Sequence, residues 1–206
     1  MIAHAPIHRS CGAGARARGA SLVETLLASV LLVLVAVPIF AMLEGSSRVF
    51  ARGDAAAGIH NDLRGTTDRL VRELRMAGYD PSATGCAAAF EVTGATTVRF
   101  IADTDTDGTT DRIEYNYDAA ARTVTRQFWR WVGPACTDWS AGSGPQILAR
   151  NVDSLTFTYF DATDAPPAGL ADVRRVTVAV AGSQLVVGYG FERYTVSSEA
   201  RARNLP

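Results

Sequence analysis

A long uncharged run near the N-terminus limits what this chain can fold into more than any other feature. From Ala20 to Leu43 the sequence has 24 residues with one charged side chain, Glu24, and no charge from Thr25 onward. A helix of that length spans roughly 36 Å, which is enough to cross a hydrocarbon core of about 30 Å. Arginines but no acids precede the run, so the N-terminus is expected in the cytoplasm and the remainder across the membrane.

Glu24 is the unusual residue of this run, because a carboxylate inside a membrane helix costs a few kcal/mol and by default marks a function. It follows Ala20 by four residues, and Gly19 directly precedes Ala20. If the chain is cut after Gly19, the new amino group of Ala20 is a cation at the start of the helix. Glu24 is then placed to compensate such a cation, on its own chain or on a neighbouring one.

The segment around the acid reads Gly19-Ala20-Ser21-Leu22-Val23-Glu24-Thr25-Leu26-Leu27, with a short basic leader before it and a long apolar run after it. This arrangement resembles the type IV pilin superfamily. The resemblance implies that a prepilin peptidase cuts after Gly19 and methylates the new N-terminus at Ala20. It also implies that Glu24 sets the register of the subunit during assembly. The family usually has Phe where this chain has Ala20, but the glycine at the cleavage point is retained.

A signal peptide or a plain signal anchor is the alternative interpretation of the same segment. A cleaved signal peptide has an apolar core of about 7 to 15 residues followed by small residues at the cleavage site. Here the apolar run is longer, and the residues from Pro38 to Met42 offer no convincing site of that kind. A signal anchor would keep its own N-terminus and would leave Glu24 without an explanation.

The helical pattern continues beyond the apolar run. Apolar or small residues recur at the spacing of one helix face, at Ile59, Leu63, Thr67, Leu70 and Leu74. Gly78 and the Asp80-Pro81 pair form a stop signal, so the predicted helix runs from about Ser21 to Ala77. Its first half is apolar all round and its second half is amphipathic.

Segments with alternating polar and apolar residues follow the helix and predict strands. They are Thr97–Ile101, Arg112–Tyr117, Thr123–Phe128, Ser154–Tyr159, Val173–Ala179 and Val186–Tyr194. Short strands joined by short turns favour an antiparallel sheet. The predicted fold is therefore α+β and pilin-like, with a long, partly transmembrane helix packed on an antiparallel β-sheet. The predicted segments are a leader (1–19), a transmembrane or filament-core half-helix (20–43), an amphipathic half-helix (44–79) and a periplasmic or extracellular β domain (80–206).

Three further segments narrow the resemblance to PilW-type minor pilins and to the related J-type pseudopilins of type II secretion. They are Glu73–Tyr79, Asn151–Tyr159 and Arg203–Leu205. The resemblance implies a subunit present in few copies, which primes assembly or lies at the filament tip. The implied partners are other major and minor pilins or pseudopilins, the prepilin peptidase, an inner-membrane assembly platform and, before assembly, membrane lipid. The implied location is the inner membrane, with one span and a periplasmic C-terminal domain, and later the pilus or cell surface. A membrane-anchored periplasmic binding module is a further alternative.

The composition argues against two other classes of protein. A formal net charge of −1 does not favour nucleic-acid binding, which needs a basic surface. All 20 basic residues are Arg, and with three His and three Cys the chain is poorly supplied for nucleophilic catalysis or a His-rich metal centre, so we do not expect an enzyme.

Cys86 and Cys136 would be the cysteines of the processed chain. In an oxidising compartment such a pair usually forms a disulfide.

An acidic segment matches the D-x-D-x-D-G-x5-E pattern of calcium loops. The predicted ligands are Asp103, Asp105, Asp107, the Thr109 carbonyl, Asp111 and Glu114. The flanking segments predict strands rather than the helices of an EF-hand, and Asp and Gly also favour ordinary hairpin turns. A calcium loop and a solvated hairpin turn thus both remain open, and no other cofactor is expected.

Overall fold

A computed structural model describes residues 21–82, 89–133, 137–186 and 190–204. These residues form one long α-helix, a five-stranded antiparallel sheet and a three-stranded antiparallel sheet. The predicted α+β fold, with a long N-terminal helix and antiparallel strands, is confirmed. The chain divides into an N-terminal unit, which ends at Ser47, and a C-terminal unit, which begins at Arg48.

Helix α1 runs from Leu22 to Arg75 and belongs to both units. Within the N-terminal unit its apolar side chains are exposed on all sides. An 18-residue window has a mean hydropathy of 2.9 and none of it is buried, so this helix is long and apolar enough to cross a membrane. Pro38 lies inside the helix and cannot donate the hydrogen bond that the Leu34 carbonyl would otherwise accept.

Within the C-terminal unit α1 is amphipathic, as the sequence predicted. The predicted face, formed by Ile59, Leu63, Thr67, Leu70 and Leu74, is buried. The helix ends at Arg75, two residues before the predicted end. Gly78 then adopts a φ of 84° and donates a hydrogen bond to the Ile101 carbonyl at 2.8 Å, so the chain leaves the helix directly against the first sheet.

The five-stranded sheet is a simple meander. Its strands are β1 (Phe90–Thr93), β2 (Thr97–Ala102), β3 (Asp111–Asp118), β4 (Thr123–Arg130) and β5 (Gln146–Ala149), in that spatial order. Strands β1 and β5 were not predicted. Each has four residues, which is too short for a polar–apolar alternation to stand out.

The three-stranded sheet contains β6 (Val152–Phe160), β7 (Arg175–Val186) and β8 (Gly190–Arg201), in that spatial order. The single predicted sheet is therefore two sheets. The strand predicted over Val186–Tyr194 is confirmed only in part: Val186 is the last residue of β7, and residues 190–194 begin β8, which pairs with β7. Gly190 has a φ of 87°, a conformation that glycine adopts without strain.

The amphipathic half of α1 packs on both sheets. Thr66 donates a hydrogen bond to the Leu148 carbonyl of β5 at 3.3 Å. On the other sheet, Gly182 lies so close to the helix that a side-chain carbon there would be 3.2 Å from Leu63. The β1–β2 turn joins the sheets, since the Ala95 carbonyl accepts a hydrogen bond from the Phe157 amide at 2.8 Å. One core therefore extends over the helix and both sheets.

Candidate functional site

Glu24 lies in the first turn of α1, where its negative charge interacts favourably with the positive end of the helix dipole. The hydroxyl groups near it are satisfied by their own helix: Thr25 donates to the Leu22 carbonyl at 2.9 Å and Ser29 to the Leu26 carbonyl at 2.8 Å. Within the described part of the chain, the Glu24 carboxylate has no hydrogen-bond or ion-pair partner. It is thus a charged group in an apolar, exposed helix with no neutralising contact among the described residues.

Four other predicted residues lie outside the described residues. These are Gly19 and Ala20 at the predicted cleavage point and Cys86 and Cys136 of the predicted disulfide. Leader cleavage, methylation and disulfide formation accordingly stay predictions from the sequence.

A buried charged cluster joins the C-terminal unit's part of α1 to the first sheet. The Glu73 carboxylate accepts hydrogen bonds from the Tyr115 hydroxyl and from Arg126 Nε, each at 2.8 Å, and from Arg69 Nε at 3.1 Å. Burial raises the pKa of Tyr115 well above its ordinary value, and the nearby Glu73 adds to this. Burial is the largest single influence on the pKa of Arg126 and would lower it, but the charge and hydrogen bond of Glu73, together with Tyr115, outweigh burial and raise the pKa. Tyr115 and Arg126 are thus held in their protonated, hydrogen-bonding forms, so the cluster has a structural role in joining the helix to the sheet.

This cluster was difficult to predict from the sequence. Arg69 and Glu73 have the i, i+4 spacing of an exposed helix pair, and that ion pair is present. The buried partners of Glu73 are 42 and 53 residues away along the chain, a separation that local pattern cannot reveal. The one available signal was the position of Glu73 directly before Leu74, at the edge of the predicted apolar face.

The acidic loop is the turn between β2 and β3, and it brings three carboxylates together. One carboxylate oxygen from each of Asp103, Asp105 and Asp107 lies within 4.8 Å of the others. Asp103 directly follows β2 and is almost completely buried, whereas Asp105 and Asp107 are exposed. Strand β2 thereby fixes one acid of the cluster, and the turn folds the other two over it.

The turn folds through its own acidic side chains. Asp103 accepts a hydrogen bond from the Gly108 amide at 3.0 Å, and Asp107 accepts one from the Thr109 amide at 2.8 Å. The Thr109 bond is the main reason why the pKa of Asp107 is lowered. Gly108 has a φ of 84° and Thr106 a φ of 59°, both in the left-handed region that a tight turn requires.

Arg130, at the end of β4, is the cation nearest to these carboxylates. It contacts Asp105 at 2.8 Å, Asp107 at 3.0 Å and Asp111 at 3.5 Å. Burial, followed by the proximity of Asp105, raises the pKa of Asp111 to about 6, although Arg130 opposes the change. The attraction of Asp111 in turn raises the pKa of Arg130. A single guanidinium thus faces several carboxylates.

The structure does not bring Glu114 to this cluster. Asp111 and Glu114 are three residues apart on β3, and side chains that differ by an odd number on a strand point to opposite faces. Glu114 instead forms an ion pair with Arg99 of β2, whose Nε lies 2.7 Å from the carboxylate. The predicted ligand Glu114 therefore forms an ion pair on the other face of the sheet.

Comparison with models of known protein families and with curated proteins found no match to this chain.

Proposed function

We propose that this chain is a pilin-like subunit, cut after Gly19 and assembled through the N-terminal half of α1 into a type IV pilus. Its role is structural rather than catalytic. Its partners are other pilins, a prepilin peptidase that cuts it, and an inner-membrane assembly platform. Before assembly it lies in the inner membrane with its C-terminal unit in the periplasm, and after assembly it belongs to the filament, at or near the tip.

The observation that carries this proposal is the contrast between folding and exposure along α1. The helix is continuous to Arg75, yet large apolar side chains from Leu22 to Leu43 are more than half exposed. The hydrophobic core of the described residues lies in the C-terminal unit and contains none of these side chains. Such a surface is unfavourable in water and must be covered by lipid or by other helices. A helix that first rests in lipid and later packs in a bundle satisfies both requirements.

Glu24 supplies the reason to prefer a bundle over a permanent anchor. A helix that only anchors the chain gains nothing from a carboxylate in its first apolar turn. In a bundle, the amino group of a neighbouring processed chain can neutralise Glu24, and such a pair fixes the axial position of each subunit. The expected cation is the methylated amino group of Ala20.

The test compares Glu24→Gln with the unaltered chain in a host that carries the assembly machinery. Glutamine keeps the size and removes the charge, so we expect normal cleavage but at least a tenfold loss of the chain from sheared filaments. Losing one partner of a desolvated ion pair typically costs about 3–5 kcal/mol. Mass spectrometry gives the mature N-terminus, and immunoblotting of filament and membrane fractions gives the distribution.

Glu44→Gln is the matched control, because Glu44 is an acid of the same helix that lies just beyond the apolar run. It should leave both cleavage and incorporation unchanged. Normal incorporation of Glu24→Gln would contradict the pairing mechanism. A mature N-terminus other than Ala20 would contradict the processing and with it the pilin proposal; an intact Met1 would indicate a membrane-anchored binding module.

A pseudopilin of type II secretion would use the same helix in the same way. Deletion of the chain separates the two machines. Loss of surface filaments with normal protein export supports the pilus, and loss of export with normal filaments assigns the chain to secretion.

A further inference from the structure

We propose that the β2–β3 turn is a binding site for a divalent cation of the calcium type. Its ligands are carboxylate oxygens of Asp103, Asp105 and Asp107, completed by the Thr109 carbonyl and by Asp111. Arg130 takes the place of the cation when none is bound. The site is independent of the pilin proposal, because it lies wholly in the C-terminal unit.

The spacing of the carboxylates fits an ion. Calcium ligands lie about 2.3–2.6 Å from the metal, so two oxygens on one ion are at most about 5 Å apart. The three clustered oxygens lie within 4.8 Å of one another. The turn therefore holds them at a separation that one cation can bridge.

An independent observation comes from the hydrogen bonding of Asp103. This residue is 1% exposed, and its Oδ1 is a buried oxygen with no hydrogen-bond partner among the residues that the structure describes. Its Oδ2 is used by the Gly108 amide. A buried carboxylate oxygen without a partner is costly, and a bound ion is one of the few explanations for it. The unpartnered oxygen belongs to the carboxylate on which Asp105 and Asp107 converge, so an ion there would satisfy it.

The charge balance also favours a cation. Asp103, Asp105, Asp107 and Asp111 place four acids around the turn, and within the described ranges only the Arg130 guanidinium forms ion pairs with several of them. The neighbouring Arg126 is hydrogen-bonded to Glu73. Arg112, on the opposite face of β3, forms an ion pair with Glu91. These two arginines therefore neutralise other acids rather than those of the turn.

A bound ion can displace Arg130 from the carboxylates of the turn. Its side chain is 41% exposed, and its contacts with Asp105 and Asp107 are on the solvent side of the turn. Such exposed pairs contribute little free energy, so a bound ion would displace them at little cost. The cation and the guanidinium therefore compete for the same carboxylates.

The ligand set indicates the chemical class of the ion. All the donors are oxygens, which suit hard cations rather than zinc or copper. A set that mixes carboxylates with a main-chain carbonyl suits calcium better than magnesium, which retains its waters in a strict octahedron. Glu114 pairs with Arg99 and adds no bidentate ligand, so we expect the modest affinity of extracellular calcium modules, with Kd of about 10⁻⁴–10⁻³ M.

The test is calorimetric titration of the full-length chain in detergent, after treatment with a chelator, together with thermal unfolding. With calcium chloride at about 10 mM we expect saturable binding and a rise of several degrees in Tm. Magnesium chloride at the same concentration should give at most a small rise. Asp107→Asn should weaken calcium binding at least tenfold, since asparagine can still accept the Thr109 hydrogen bond but lacks the charge.

Two control variants and one variant with the opposite expected effect complete the test. Asp161→Asn alters an acid that accepts similar turn hydrogen bonds, here from the amides of Thr163 and Ala165. Glu114→Gln alters the acid on the other face of the first sheet. Both should bind calcium as the unaltered chain does. Arg130→Gln should bind it several-fold more tightly, a result that a purely structural role of the turn does not predict.

Three results would overturn the proposal. The first is the absence of binding and of any Tm shift up to 10 mM calcium. The second is undiminished binding by Asp107→Asn, and the third is weaker binding by a folded Arg130→Gln. Equal responses to magnesium and calcium would overturn the assignment of the ion.

Discussion

The two parts of α1 belong to one helix but differ in how much of their apolar side-chain surface is buried. In the N-terminal unit, Leu31 is 56% exposed and its apolar neighbours are similar; in the C-terminal unit, Leu63, Leu70 and Leu74 are completely buried. Both parts are regular helix, so helical structure alone does not decide which part belongs to the water-soluble core. The amphipathic part belongs to that core because it packs on the sheets of its own unit.

This difference bears on how each part responds to substitution. The C-terminal unit is stabilised by packing within the chain, whereas the large apolar side chains from Leu22 to Leu43 belong to no buried core among the described residues. Substitutions in the two parts should therefore have different readouts. The free energy of unfolding should respond to one part, and membrane or filament association to the other.

The largest expected effect on stability comes from Leu70→Ala. Truncating a completely buried leucine leaves a cavity, and we expect a loss of about 3–5 kcal/mol in the free energy of unfolding. The matched variant Leu31→Ala should change it by less than about 0.5 kcal/mol. Urea unfolding in detergent, followed by tryptophan fluorescence, measures both, since Trp129, Trp131 and Trp139 all lie in the C-terminal unit. Similar losses from the two variants would show that the parts of the helix are energetically coupled.

Glu73→Gln tests the polar contact between the helix and the first sheet. The substitution leaves Arg126 buried without its counter-charge, so we expect a loss of about 2–3 kcal/mol in the free energy of unfolding. Arg69→Gln is the control, since Arg69 contacts the same carboxylate but its side chain is 45% exposed. It should cost less than about 1 kcal/mol. Equal effects from the two variants would mean that burial does not govern the strength of this cluster.

Much of this architecture was predictable from local pattern. The helix face from Ile59 to Leu74 follows from its spacing, and four of the strands follow from alternation close to their observed bounds. The short strand β5 and the division into two sheets could not be predicted, because pairing partners are a tertiary property. The β7–β8 connection was missed because Val186 and the residues after it continue the apolar pattern of the strand.

The candidate cation site also shows, for single residues, how far local sequence pattern can predict structure. The calcium-loop pattern groups Asp103, Asp105 and Asp107, and the short turn between β2 and β3 places one carboxylate oxygen of each within 4.8 Å of the others. The inclusion of Glu114 came from a pattern defined for helices. On a strand, the alternation of faces directs Glu114 away from Asp111, so the pattern holds only as far as the turn itself.

The smallest expected effects come from two glycines of the C-terminal unit. A side-chain carbon at Gly182 would lie 2.9 Å from the Asn151 carbonyl oxygen, whereas one at Gly58 would meet nothing within 4 Å. Gly182→Ala should therefore lower the free energy of unfolding by about 1–2 kcal/mol. Gly58→Ala should raise it by about 0.5–1 kcal/mol, because alanine favours the helix more than glycine does. The same urea titration measures both, and destabilisation by Gly58→Ala would contradict the expectation that a side chain at this position meets no other atoms of the chain.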